Sequence, residues 1–136
     1  MALTADQVTA LVEAARQARG KAYAPYSKYT VGAAVLTGSG STFTGANVEN
    51  AAYPSGMCAE RVAVYDAVSR GEKDIRAVAV VTENGGAPCG ACRQVLAEFG
   101  LQAEVLLADA TGQVSARLTV SDLLPRSFGP KDLPHP

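Results

Sequence analysis

Ile75-Arg76-Ala77-Val78-Ala79-Val80-Val81 is nearly unbroken apolar and rich in β-branched residues. Such a run marks a strand buried on both faces, and the rest of the chain is arranged around it. On its C-terminal side Thr82 to Ala87 reads as a loop, and Pro88 precedes a helix expected over Cys89 to Phe99 and stopped by Gly100. Glu104 to Ala108 is a second apolar strand, Asp109 to Gly112 a turn and Val114 to Leu118 a further strand. A short helix is expected around Ser121 to Leu124, followed by a proline-rich tail over about residues 126–136.

On the N-terminal side, helical spacing begins at Met57 and carries Ala59, Val62, Ala63 and Val68 down to Gly71, placing Cys58 and Glu60 in the first turn. Before it, Ala51 to Gly56 reads as a loop. Tyr29 to Leu36 is a strand candidate, and Gly38-Ser39-Gly40 a turn into a partner at Thr42-Phe43-Thr44. The small residues Gly32, Ala33 and Ala34 imply that something packs closely there. Thr4-Ala5-Asp6-Gln7 matches a capping box, and Val8, Leu11, Val12 and Ala15 predict a helix from about Thr4 to Arg19, with Gly20 as its stop. Helices alternating with strands after a hairpin indicate an α/β, three-layer fold with a mixed five-stranded sheet flanked by helices. With no repeat and no linker, one domain over 1–136 is expected.

Of 136 residues, 48% are hydrophobic and 18% charged, which argues against disorder. Twelve Lys+Arg against thirteen Asp+Glu give a net charge of -1 without a basic run, so nucleic acid is disfavoured as a partner. No apolar run approaches membrane-spanning length, and Met1-Ala2-Leu3-Thr4 lacks the regions of a signal peptide. A cytoplasmic protein with reduced thiols is expected, and three cysteines fit a disulfide framework poorly.

All three cysteines lie in Cys58-Ala59-Glu60-Arg61 and Pro88-Cys89-Gly90-Ala91-Cys92-Arg93-Gln94, and the sole histidine is His135. Three thiolates with a fourth position open is the pattern of a catalytic zinc site. Cys89 and Cys92, three apart at a helix start, share one face, and Cys58 comes from another helix. Two helix N-termini facing the sulfurs favour thiolate. A dication held by three thiolates is left with a net negative charge and would make its water a poor acid. The helix dipoles and Arg61, donating to thiolate, are the groups that draw electron density off the sulfurs. Glu60 is the group to move protons beside the open position. If the backbone stays extended through Asn47-Val48-Glu49-Asn50, Asn47 and Glu49 point to the same side.

Together these motifs closely resemble the small cytidine deaminases of nucleoside salvage, from Tyr23-Ala24-Pro25-Tyr26-Ser27-Lys28 through Leu123-Leu124-Pro125 and Phe128. The resemblance implies a hydrolase that removes the 4-amino group of cytidine and 2'-deoxycytidine in pyrimidine salvage, with one zinc per subunit on Cys58, Cys89 and Cys92 and Glu60 as proton shuttle. It further implies substrate contacts from Asn47 and Glu49 to the sugar, Tyr29 against the base, Ala59, and Phe128 reaching a neighbour's substrate in a homotetramer with shared sites. Tyr29 departs from the phenylalanine common at its position, and its phenol needs a hydrogen-bond partner.

Each residue also has a plainer reading. Cys89 and Cys92 alone suit a buried pair or a redox dithiol, Glu60 a solvated helix position, Arg61 a surface cation, and Asn47 and Glu49 a satisfied loop. The tyrosines suit packing, and Phe128 a cover for its own sheet edge. A structural zinc would need a fourth ligand, for which His135 in the tail is a poor donor. Two rival functions remain. One is a deaminase of another aminated heterocycle, such as a free base, an antibiotic nucleoside or a base within RNA; the other is a non-catalytic zinc-binding assembly protein. Asn47 and Glu49 speak for a sugar-bearing substrate, and Glu60 against the assembly protein.

Overall fold

Thr4 caps the first helix, α1 (Ala5–Arg19): its side chain accepts from the Gln7 N–H while the Gln7 side chain accepts from the Thr4 N–H. This computed structural model describes residues 2–134. A hairpin of β1 (Gly32–Thr37) and β2 (Thr42–Ala46) comes next, then α2 (Ala59–Ser69), β3 (Ile75–Val81), α3 (Gly90–Gly100), β4 (Glu104–Ala108), β5 (Val114–Thr119) and α4 (Val120–Leu123). The five strands form one mixed sheet in the order β2-β1-β3-β4-β5, in which β3 and β4 pair in parallel and the other neighbours antiparallel.

Side chains alternate between two cores, as the period of a strand requires. Ala33, Val35, Val78, Val80, Val105 and Leu107 face α2, α3 and α4, while Ala34, Ala77, Ala79, Val81, Leu106 and Ala108 face α1. The expected three layers are therefore present. β3, the middle strand, is buried on both sides except at Arg76.

Two glycines let helices lie directly on the hairpin. A β-carbon at Gly32 would run into the main chain of α1 at Ala15 and Arg19. One at Gly45 would lie 2.6 Å from the Ala59 carbonyl oxygen, 2.7 Å from the Ala63 nitrogen and 2.9 Å from the Val62 β-carbon, all on α2.

Several boundaries differ from the sequence expectation. β1 starts at Gly32 instead of Tyr29, because Lys28 takes φ 62° and the Asn47 side chain bonds the main chain of Tyr29 and Val31. β2 runs on to Ala46, beyond Thr44. α2 starts at Ala59 instead of Met57, since Met57 bridges to Val48 and Cys58 is the extended N-cap. Gly100 is the last residue of α3 and not its stop, packed against the Ile75 carbonyl. α4 begins one residue before Ser121, with a capping box from Thr119 to Asp122. The loop after Ala51 contains a 3-10 turn at Tyr53–Ser55, and the tail another at Pro130–Asp132. His135 lies outside the described residues.

Candidate metal centre and substrate pocket

Because β2 and β3 are both antiparallel to β1, they run in the same direction and end at the same edge of the sheet. The chain leaves β2 towards α2 and β3 towards α3, so both helices start at that edge. Cys58 is the N-cap of α2 and Cys89 the N-cap of α3, both in extended conformation and neither using its sulfur to cap the helix N–H groups. Their sulfurs turn towards each other, with Cys92 from the first turn of α3 completing the group.

The Cys58 and Cys89 sulfurs are 3.8 Å apart, and those of Cys89 and Cys92 3.4 Å. All three lie within 4.8 Å of one another, the one such cluster of potential ligands among the described residues. Zinc–sulfur bonds of about 2.3 Å in a tetrahedron require sulfur separations of about 3.8 Å, so the donor set fits zinc. Cys58, Cys89 and Glu60 also line a cavity of about 800 Å³, which leaves one side of the cluster open.

Electrostatics bind the cluster together. The Arg61 Nη2 donates to the Cys58 sulfur at 3.4 Å, while its buried Nε has no partner. The Cys58 thiol is lowered to about 5, first by the hydrogen bond from Cys92 and then by Arg61 and Cys89, against the opposing effect of burial. Cys92 is pushed up, first because its proton is engaged by Cys58, then by burial and the Glu60 charge. The Cys58 thiol therefore ionises more readily than that of Cys92. Glu60 is 4% exposed, and burial raises its carboxyl to about 7, with the Cys58 charge adding and Arg61 opposing.

Across the cavity, the chain from Asn47 to Glu49 is extended between Tyr23 and Met57, and both polar side chains line the pocket. Asn47 Oδ1 accepts from the Val31 N–H at 2.8 Å, and its Nδ2 donates to the Tyr29 carbonyl at 2.9 Å. Glu49 accepts from the N–H groups of Tyr26 and Ser27 and from the Ser27 hydroxyl, the last being the main reason its carboxyl lies below the usual range. Both residues do satisfy a loop. Each nevertheless keeps capacity: an amide has a second N–H and a carboxylate a fourth lone pair.

The structure therefore brings Cys58, Cys89, Cys92, Glu60, Arg61, Ala59, Tyr29, Asn47 and Glu49 to one pocket or its immediate backing. Phe128 is not among them: it is 58% exposed, and only its carbonyl is tied down, by Gln94 Nε2. Sequence reasoning missed Ser27 and Asn84, which bond the distant Glu49 and Tyr29, and Thr82, which bonds Asn84 and the Gly86 N–H within its own loop. Tyr26 and Tyr53, read singly as core or rim, meet edge to face at the pocket with ring centroids 6.0 Å apart. Pro25 and Asn84-Gly85 signal turns, but no local pattern tells which residue a turn will touch.

Residues 5–108 match the family described as the cytidine and deoxycytidylate deaminase zinc-binding region. The chain is 47% identical over 126 residues to the cytidine deaminase of Halalkalibacterium halodurans, covering 90% of this chain and 95% of that protein. It is 45% identical over 129 residues to the cytidine deaminase of Sporosarcina psychrophila, covering 93% and 94%. The crystal structure of the cytidine deaminase from Burkholderia pseudomallei superposes with a TM-score of 0.84 at 48% identity, over 93% of this chain and all of the other.

Proposed function

The chain belongs to the cytidine and deoxycytidylate deaminase family, and from that premise we propose that it hydrolyses the 4-amino group of cytidine and 2'-deoxycytidine, consuming water and giving the uracil nucleoside and ammonia in pyrimidine salvage. The observation that carries this reading is the convergence of three sulfurs and a buried carboxyl on a cavity whose opposite wall holds Asn47 and Glu49.

Cys58, Cys89 and Cys92 would hold the zinc, whose Lewis acidity would make water a nucleophile near neutral pH. Glu60 has a carboxyl that is neither fully ionised nor fully protonated there, which suits it to take the water's proton and pass it to the ring nitrogen and the departing amine. Arg61 holds positive charge against the thiolates and offsets the electron donation of an all-sulfur donor set. Glu49 accepts from a sugar hydroxyl, and Asn47 donates to one. Ala59, fully buried between Cys58 and Glu60, forms the floor on which the base rests, with the Tyr29 ring beside it.

Nucleosides are favoured over nucleotides. Among the described residues Arg61 is the single cation lining the cavity and it is turned to the sulfurs, while Glu49 puts negative charge on the sugar side. The assembly is a homotetramer in which Phe128 reaches a neighbour's site. The exposed apolar groups around the mouth, Tyr53 at 76% and Val48 at 49%, suit cover by a second copy. The chain acts as one domain in the cytoplasm, where thiols stay reduced; no described helix is long and apolar enough to cross a membrane.

The test is the ultraviolet absorbance change of cytidine, deoxycytidine and deoxycytidylate with purified protein of measured zinc content. Both nucleosides are expected to turn over and the nucleotide to do so poorly. Zinc-loaded protein without effect on either nucleoside would shift the assignment to another aminated heterocycle or to an assembly role.

A further inference from the structure

Tyr29 is fixed at both ends. Its N–H donates to the Ser27 hydroxyl at 3.0 Å and its carbonyl accepts from Asn47, so its main chain belongs to the wall that carries Asn47 and Glu49. Its hydroxyl donates to Asn84 Oδ1 at 2.9 Å, in the segment between β3 and α3. Asn84 Oδ1 also accepts from the Thr82 hydroxyl at 3.3 Å, and the Thr82 oxygen accepts from the Gly86 N–H at 2.8 Å. Thr82 to Ala87 is the segment that ends in Pro88 and the ligand Cys89. A β-carbon at Gly86 would lie 2.8 Å from the Tyr29 hydroxyl, so the bare glycine makes the room the phenol occupies.

Gly85-Gly86 gives this segment more backbone freedom than any other pair of residues would. Such a stretch must be held from outside it: Asn84 bridges to Asp109 at the end of β4, and Tyr29 supplies the tie from the sugar-side wall. We propose that Tyr29 is a positioning residue, a crossbar that joins the sugar-side wall to the segment carrying Cys89 and so holds that thiolate in register with Cys58 and Cys92. The role of the sugar-side wall rests on the deaminase reading above; the hold on Cys89 does not. Ring and hydroxyl thus do separate work, since Tyr29→Phe keeps the face against the base and removes only the tie.

The experiment follows zinc loss from the holoenzyme to a chelator, together with kcat and KM on cytidine, for Tyr29→Phe, Asn84→Ala, Gly86→Ala and the pairwise combinations with Tyr29→Phe. One net hydrogen bond corresponds to a factor of about five. Tyr29→Phe and Asn84→Ala are each expected to speed zinc loss about fivefold and to lower kcat more than they raise KM, as lost positioning does and lost binding does not. The double variant is expected to be no worse than the poorer single. Gly86→Ala, by displacing the hydroxyl, should harm the wild type but add nothing to Tyr29→Phe. Unchanged zinc loss in Tyr29→Phe, or additive effects in the combinations, would overturn the proposal. Asn84→Ala alters an exposed side chain and decides the matter even if the tyrosine variant folds poorly. If the wild-type holoenzyme leaves cytidine untouched, the deaminase reading fails, while the zinc-loss comparison still tests the crossbar.

Discussion

Gly45→Ala is a change of one methyl group on a sheet strand, yet it should weaken both the fold and the metal centre. The new carbon meets three atoms of α2 at 2.6, 2.7 and 2.9 Å, where ordinary contact begins at 3.4 Å. Two of these belong to main chain, so no side-chain rotation relieves the crowding, and α2 must retreat by up to about 0.8 Å. Overpacking of this kind costs about 1–3 kcal/mol, and the lower backbone entropy of alanine in the unfolded chain returns about 0.5 kcal/mol. A net loss of about 1.5 kcal/mol lowers Tm by about 5 °C for a chain of this size. Because the helix that retreats carries Cys58 at its start, the sulfurs also lose register, and kcat is expected to fall at least tenfold. Thermal unfolding, zinc content and turnover of one purified sample measure all three effects. A Tm within about 1 °C of wild type, with full zinc and turnover, would refute the tight contact between β2 and α2.

Other predictions address the centre directly. Glu60→Gln is expected to retain zinc while losing about 10²- to 10⁴-fold in kcat, since it removes the proton carrier and no ligand; metal analysis with turnover checks both, and retained activity would end the shuttle assignment. Cys58→Ala is expected to lose zinc and turnover together. Arg61→Ala should shift the pH–rate profile and weaken zinc retention, and an unchanged profile with unchanged affinity would rule out charge compensation. Zinc added to metal-free protein in weak buffer at pH 7 should release at least one proton per chain. Cys58, lowered to about 5, is already thiolate there, whereas Cys92 is raised and must give up its proton to bind. Zinc affinity therefore rises with pH, and an indicator dye that registers no proton release would contradict the shared-proton picture.

The middle of the sheet was legible because β3 is apolar at nearly every position, which only a doubly covered strand explains. The cysteine-bearing helix starts were legible for a different reason: ligand spacing and helical periodicity agreed. What escaped was pairing across distance. Tyr29 to Val31 has the composition of a strand, yet a single side chain, Asn47, takes the main-chain groups a neighbouring strand would have used. Likewise, Tyr29 announced a phenol in need of a partner, but Asn84 became that partner only through the way the sheet folds. Phe128 showed its type in the sequence, while its place outside this chain's own pocket is a matter of tertiary geometry.

Cys58 precedes β3 in the chain and Cys89 and Cys92 follow it, so the cluster closes across the strand that lies between β1 and β4. During synthesis, the first thiol emerges well before its partners, with nothing to hold an ion in place. An ion held by all three sulfurs therefore joins the chain on either side of β3, and its binding free energy adds to that of the fold. The loaded protein thus outlasts the stripped one on heating, by a margin that grows with the free zinc concentration.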